Sequence, residues 1–154
     1  VSNLLLNVKK QFDFDEIRLL YQNPDDLSLA FPSASFPVDE SQWNKWMANA
    51  DSENYSLTFY LDDIPISHLS LKSYKESPGL CYLCFFIVDS EYRAKGYAKE
   101  AMSLTYDFIR SVLKKNEVWL IVDPNNTSAY SLYRKEGFKI VDKKLAGLRL
   151  KKKI

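Results

Sequence analysis

Hydrophobic and polar positions along the chain change period several times. Leu4 to Lys9 alternates weakly, as a strand with one covered face would. From Asp15 to Tyr21 the period lengthens, with Ile17, Leu20 and Tyr21 on one side of a helix that Asn23-Pro24-Asp25-Asp26 stops. Two prolines bracket Phe31 to Pro37, which reads as loop. Asp39 or Ser41 then caps a short helix through Trp43, Trp46 and Met47. Tyr55 to Leu61 and Ile64 to Lys72 read as a hairpin closed at Asp62-Asp63. After the turn Glu76-Ser-Pro-Gly79 comes an apolar strand, Leu80 to Val88. The longest amphipathic stripe spans about Tyr97 to Lys115, with Ala98, Ala101, Met102, Thr105, Phe108, Ile109 and Val112 inward. Val118 to Val122 is a strand, Ser128 to Lys135 a helix with Gly137 at its C′ position, and Phe138–Val141 and Leu148–Lys152 are closing strands. The order predicts one α/β domain over residues 1–154, a mixed central sheet of about seven strands flanked by helices on both faces.

Composition narrows the class. A chain of 154 residues with 46% apolar and 27% charged side chains can bury a substantial core and is not disordered as a whole. Twenty-one basic side chains against 20 acidic ones leave a net charge of +1, so nothing calls for a nucleic-acid partner. No apolar run approaches a membrane span, and Leu4-Leu5-Leu6 is too short for a signal segment, so the expected location is the cytoplasm. Cys81 and Cys84 are three apart on one strand, hence on opposite faces. With His68 as the one histidine, they predict a pair of core thiols and no metal site.

The chemistry concentrates where Leu80–Val88 runs into a polar turn with Arg93, Gly96 and Ala98 at R-x-x-G-x-A spacing, followed directly by the long helix. The first N–H groups of a helix lack internal partners and carry the positive end of its dipole, so they solvate an anion. Small residues at 96 and 98 admit phosphate oxygens to the main chain, and Arg93 and Lys95 add charge. The turn has neither a P-loop nor a dinucleotide-binding glycine pattern, and a strand-to-helix turn eased by Gly96 would share its spacing. A second segment lies further on: Asn126-Thr-Ser128-Ala129-Tyr-Ser-Leu132-Tyr133-Arg-Lys135-Glu-Gly137-Phe138.

R-x-x-G-x-A after a strand, then N-x-x-A-x-x-L-Y-x-K-x-G-F, resembles the GCN5-related N-acetyltransferase (GNAT) family over Leu80 to Val141. Two positions depart from its usual pattern: Ala98 stands at the third small position, and Ser90 where relatives often carry Pro. The resemblance implies acetyl transfer from acetyl-CoA to a primary amine by direct attack, without an acyl-enzyme and without a metal. The acceptor is a protein N-terminus or a small amine. Amides of Arg93, Ala94, Lys95, Gly96, Tyr97 and Ala98 would hold the pyrophosphate. Asn126 and Ser128 would meet the pantetheine arm. Main-chain donors around Phe86, Ile87 and Val88 would polarise the thioester carbonyl. Tyr133 would give a proton to the leaving thiolate.

Each role has a plainer counterpart. Tyr133, with Ala129 and Leu132, also fits the buried face of a short helix; Asn126 fits a helix cap, and Arg93 an ion pair with Glu91. His68 is the candidate general base, and equally a satisfied strand histidine; Glu53, Glu76 and Asp39 are further candidates. Trp43 and Trp46 line a substrate pocket or pack inward. An acyl-CoA-binding module without activity, or a nucleotide-phosphate binder, would use the same turn. The C-terminal strands offer an edge for a homodimer, against which the basic tail Lys151–Lys153 argues.

Overall fold

The structure, a computed structural model, describes residues 3–154. Strand β1 (Leu5–Lys9) is followed by three short helices, α1 (Phe14–Leu20), α2 (Pro24–Ala30) and α3 (Glu40–Met47). Three long strands come next: β2 (Ser52–Leu61), β3 (Ile64–Tyr74) and β4 (Leu80–Val88). A single 3-10 turn at Ser90–Tyr92 leads to α4 (Tyr97–Ser111), and β5 (Glu117–Val122), α5 (Thr127–Lys135), β6 (Lys139–Lys144) and β7 (Gly147–Lys153) complete the chain. The strands form one sheet in the order β1-β2-β3-β4-β5-β7-β6, antiparallel except between β4 and β5.

Alternation along the central strands divides the core. Leu69 and Leu71 of β3 and Leu83 of β4 point to one face, where Ala101, Met102 and Ile109 of α4 and Tyr133 of α5 cover them. On the other face α1, α2 and α3 bury Ile17, Leu20, Leu27 and Trp43 with Phe12, Phe31 and Ile87. Cys81 lies sealed in the α4 layer, its thiol pushed up to about 12 by burial. Cys84 faces the opposite way and is partly covered as a residue, but burial pushes its thiol up to about 12 as well.

Helix α2 and the end of α4 depart from the sequence reading, each for a local reason. Asn23-Pro24-Asp25-Asp26 ends α1 but also starts α2. The Asn23 side chain accepts from the Asp25 amide at 2.8 Å, and Pro24 takes the first turn, where its missing N–H costs nothing. Helix α4 stops at Ser111 rather than near Lys115, because Lys114 adopts a positive φ of 59° and the Lys115 amide bonds back to the Ile109 carbonyl.

The feature that makes room for a site is the parting of β4 and β5. They pair only from Leu80–Glu117 to Tyr82–Trp119 and then diverge. On the other side of β4, Ser70 faces Cys84 while His68 faces Ile87, so β4 spends one residue more than β3 over the same interval. That bulge centres on Phe85, whose φ is +55° without being glycine.

At the far side, Gly147 opens β7 with φ +143°, and a side chain there would stand 2.7 Å from the Val122 carbonyl carbon. The β6–β7 hairpin is therefore seated directly on the end of β5. Gly147→Ala should unfold at lower urea concentration, losing about 2–4 kcal/mol through the steric conflict and the unfavourable φ. Unchanged urea stability would show that the hairpin turn relaxes away from β5.

Candidate active site

Between the diverging strands and the start of α4 lies a cleft of about 560 Å³. Its walls come from the end of β4 (Phe86, Ile87, Val88), the following turn (Tyr92, Arg93, Ala94, Gly96), the first turn of α4 (Ala98, Lys99), α5 (Ser128, Ala129, Leu132, Lys135) with Asn126 before it, and α2 (Asp26, Leu29, Ala30). Nine of the residues singled out for cofactor binding thus meet in one place: Phe86, Ile87, Val88, Arg93, Ala94, Gly96, Ala98, Asn126 and Ser128. Lys95 and Tyr97 do not line it. Their side chains turn to Tyr92, with the Lys95 ammonium 5.9 Å above that ring and the Tyr97 ring 6.1 Å from it.

The two helices that follow the cleft's turn and Asn126, α4 and α5, start differently from the others. Helices α1, α2 and α3 are closed at their N-termini by the side chains of Asp13, Asn23 and Asp39. Neither α4 nor α5 has a side-chain cap. Before α4, Gly96 sits at φ +87° with open space where a side chain would be, and Ala94 at +61°. Left-handed residues spaced this closely turn consecutive amides toward a common point, a geometry suited to anions. The uncapped first-turn amides of α4 add to it. Asn126 holds the cap position of α5 with its backbone only, and its side chain lines the cleft.

Arg93 is occupied. Its Nε donates to the Val88 carbonyl at 2.7 Å and its Nη2 pairs with Asp26 at 3.0 Å, not with Glu91. This ties the turn to both β4 and α2, while Lys99 and Lys135 supply the cleft's remaining positive charge. Asp26, Leu29 and Ala30 were not apparent from the sequence. Reading Asn23-Pro24 as a helix start would have found them.

Tyr133 stands behind the cleft wall, 6% exposed. A Schellman turn fixes it: the Phe138 amide bonds to the Tyr133 carbonyl at 3.0 Å, the Gly137 amide to that of Arg134 at 3.1 Å, and the Phe138 ring packs 5.7 Å from the tyrosine. Burial raises the phenol above its ordinary value of 10, with the neighbouring Cys84 adding to the shift, so it keeps its proton at neutral pH. Its hydroxyl has no hydrogen-bond partner among the described residues, yet is not sealed from solvent.

His68 lies elsewhere, fully enclosed under α1 and α3. Its Nε2 is 2.9 Å from the Ser56 hydroxyl and its Nδ1 is 3.2 Å from Tyr21 Oη. The Tyr21 hydroxyl donates to the Phe85 carbonyl at the bulge. One set of protons satisfies all three links: Ser56 donates to Nε2, Nδ1–H donates to Tyr21, and Tyr21 donates to Phe85. Burial pushes the imidazole down to about 3, against the opposing pull of the Phe85 carbonyl. A group so enclosed and so weakly basic has no route to an acceptor amine. Glu53 lies on an exposed edge, Asp39 caps α3, and neither lines the cleft; nor does Glu76.

A family model described as "Acetyltransferase (GNAT) family" matches residues 19–138. The spermidine N(1)-acetyltransferase of Escherichia coli (strain K12) is 41% identical over 54 residues, a segment equal to 35% of this chain and 29% of that enzyme. The chain therefore matches less than a third of that relative's length. The crystal structure of spermidine N-acetyltransferase from Vibrio cholerae in complex with CoA and spermine superposes with a TM-score of 0.72 at 20% identity, covering 96% of this chain and 95% of that one. An acetyltransferase from Thermus thermophilus gives 0.75 at 14% identity over 100% of both chains. At these identities the two structures establish a shared fold.

The enclosed histidine has a measurable consequence. Between its folded value of about 3 and the unfolded 6.5 the unfolded chain binds a proton that the folded chain does not, so stability is full above pH 6.5 and falls as pH is lowered. From pH 6.5 to 4.5 the wild type should lose roughly 2–3 kcal/mol that a His68→Gln variant does not lose. Urea titrations at the two pH values read the difference; parallel losses in both proteins would mean that His68 charges freely in the fold.

Proposed function

The chain belongs to the acetyltransferase (GNAT) family, and we propose that it transfers an acetyl group from acetyl-CoA to a primary amine by direct attack. The observation that carries this reading is the pair of uncapped helix starts, α4 and α5, turned onto one cleft beside the free end of β4. Residues 94–98 offer amides to the pyrophosphate, with Lys99 and Lys135 beside them. Asn126 and Ser128 face the pantetheine arm. Open space at Gly96 suits a large anion lying against the main chain.

The chemistry follows from the bulge. Carbonyl and N–H of one peptide lie in one plane and point in opposite directions. With the Phe85 carbonyl drawn to Tyr21, the Phe86 amide is turned to the opposite side. An N–H held that way polarises a thioester carbonyl without reorganising as charge develops on the oxygen. The amine's nitrogen bonds to the acyl carbon as the carbon–sulfur bond breaks, and the Tyr133 hydroxyl gives its proton to the departing sulfur. Burial keeps the proton on Tyr133 at every working pH while making it a weaker acid, and the tyrosinate left after the transfer is reprotonated from solvent. His68 takes no proton in this scheme; it holds Tyr21, and water carries the amine's proton away.

Tyr133→Phe keeps the ring against Phe138 and removes the donor. Acetyl-CoA affinity should stay within a few-fold while kcat falls by about 10²-fold or more. Equal turnover in both proteins, with chemistry rate-limiting, would remove the acid role. Gly96→Glu places a carboxylate in the cleft and should abolish measurable acetyl-CoA binding by isothermal titration. Wild-type affinity in the folded variant would sink the pyrophosphate assignment.

A further inference from the structure

On the sheet face away from α4 and α5, aromatic rings line up across the point where β4 and β5 part. Tyr74 lies 5.8 Å from Tyr82, Tyr82 lies 6.2 Å from Trp119, and the last paired residues of the two strands are Tyr82 and Trp119 themselves. Trp46 of α3 closes the near end, 4.7 Å from the Phe85 ring at the bulge. This floor meets the reacting end of the cleft at the bulge, where Trp46 packs on Phe85 and the next residue, Phe86, lines the cleft.

Among the described residues, Lys72 and Lys151 are the cations over this floor that have no ion pair. The Lys72 ammonium sits 5.0 Å above Trp46 and 5.4 Å from Tyr74. The residue is only 9% exposed, yet it makes no ion pair or hydrogen bond among the described residues, and its ammonium is not sealed. Ser70, next along the same face of β3, has a buried hydroxyl with no partner among the described residues. Arg149 and Lys151 stand 5.1 and 5.4 Å above Trp119. Asp142 takes two bonds from Arg149, at 2.9 and 2.6 Å, and so pairs that guanidinium; Glu117 accepts from Trp119, and Glu76 acts on Tyr74 from the outer end of the floor. A cation so nearly covered and lacking a counter-ion is poised to receive one, because π faces compensate it only partly.

We propose that this floor seats the acceptor and that Lys72 selects an amine bearing a carboxylate and an apolar body over a polyamine. The inference rests on the acetyltransferase reading and specifies its substrate class. A polyamine would set further ammonium groups against Lys72 and Lys151, neither of which has an ion pair among the described residues. A carboxylate would gain a charge-assisted bond in a partly dry setting, while its body packs on the rings.

The test compares phenylalanine, phenylalaninamide and spermidine as acceptors, reading CoA release at one pH. The amide differs from the acid only by the lost charge, and its amine is the more easily deprotonated, so any bias runs against the proposal. Wild type should favour phenylalanine over its amide at least tenfold in kcat/KM, with spermidine the poorest. Lys72→Met, which keeps the stem's packing, should bring acid and amide to parity through KM, leaving acetyl-CoA affinity and melting temperature unchanged. Preference for spermidine or the amide in wild type would overturn the proposal, as would an equal loss for all acceptors in Lys72→Met. Failure of acetyl-CoA to bind wild type would overturn the acetyltransferase reading instead. The affinity of phenylalanine, read by NMR titration of wild type and Lys72→Met, would still decide the seat: a tenfold loss upholds it, and no loss rejects it.

Discussion

Everything else in the molecule depends on β4 leaving its neighbour. A parallel pair that stayed hydrogen-bonded past Tyr82 and Trp119 would fill the space between the strands and cover the backbone of Phe86, Ile87 and Val88. The departure begins at Phe85, in a conformation that a bulky residue adopts only when its surroundings hold it there. Those surroundings are identifiable. The Phe85 ring stacks on Phe31 at 4.1 Å and packs on Trp46, while its carbonyl is bonded by Tyr21, which His68 and Ser56 hold in turn. The α1–α3 layer therefore does more than cover one face of the sheet. It fixes the backbone orientation on which the proposed chemistry relies.

The two sides of the parted strands have different electrostatic characters. On the cleft side, uncapped helix amides stand beside Lys99 and Lys135, with Arg93 restrained by Asp26. Such an arrangement suits an anion through geometry, and its dipolar part falls off within a turn of the helix. On the reverse side, charge is carried by whole ammonium and guanidinium groups laid over aromatic rings. Tyr133 sits between, its hydroxyl without a hydrogen-bond partner among the described residues.

Much of this was legible in the sequence, and the reasons differ from residue to residue. The Arg93–Ala98 turn and the Asn126–Phe138 helix could be read because their local structure requires particular residues: glycine at a left-handed position before one helix and a glycine after the other. The layered sheet followed from the order of strands and helices along the chain. Helix α2 escaped because Asn-Pro serves equally as a stop and a start, and the choice rests on the residues beyond it. The bulge escaped because Phe85 is not glycine; its conformation is imposed by tertiary contacts that no local pattern encodes. His68 invited a catalytic reading because an isolated histidine on a central strand looks the same whether it faces solvent or Tyr21. Lys72 looked like an ordinary strand end until β4 and α3 were placed around it.

The central claim is that the end of β4 and the starts of α4 and α5 form one acyl-CoA seat. Backbone amide chemical shifts recorded as acetyl-CoA is added to 15N-labelled protein test it residue by residue. The account predicts the largest changes at Phe86–Val88, at 94–99 and at 126–129, with Leu5–Lys9 and Lys139–Lys144 unmoved. Saturable changes confined to other parts of the sheet, with Phe86 and Gly96 silent, would contradict it.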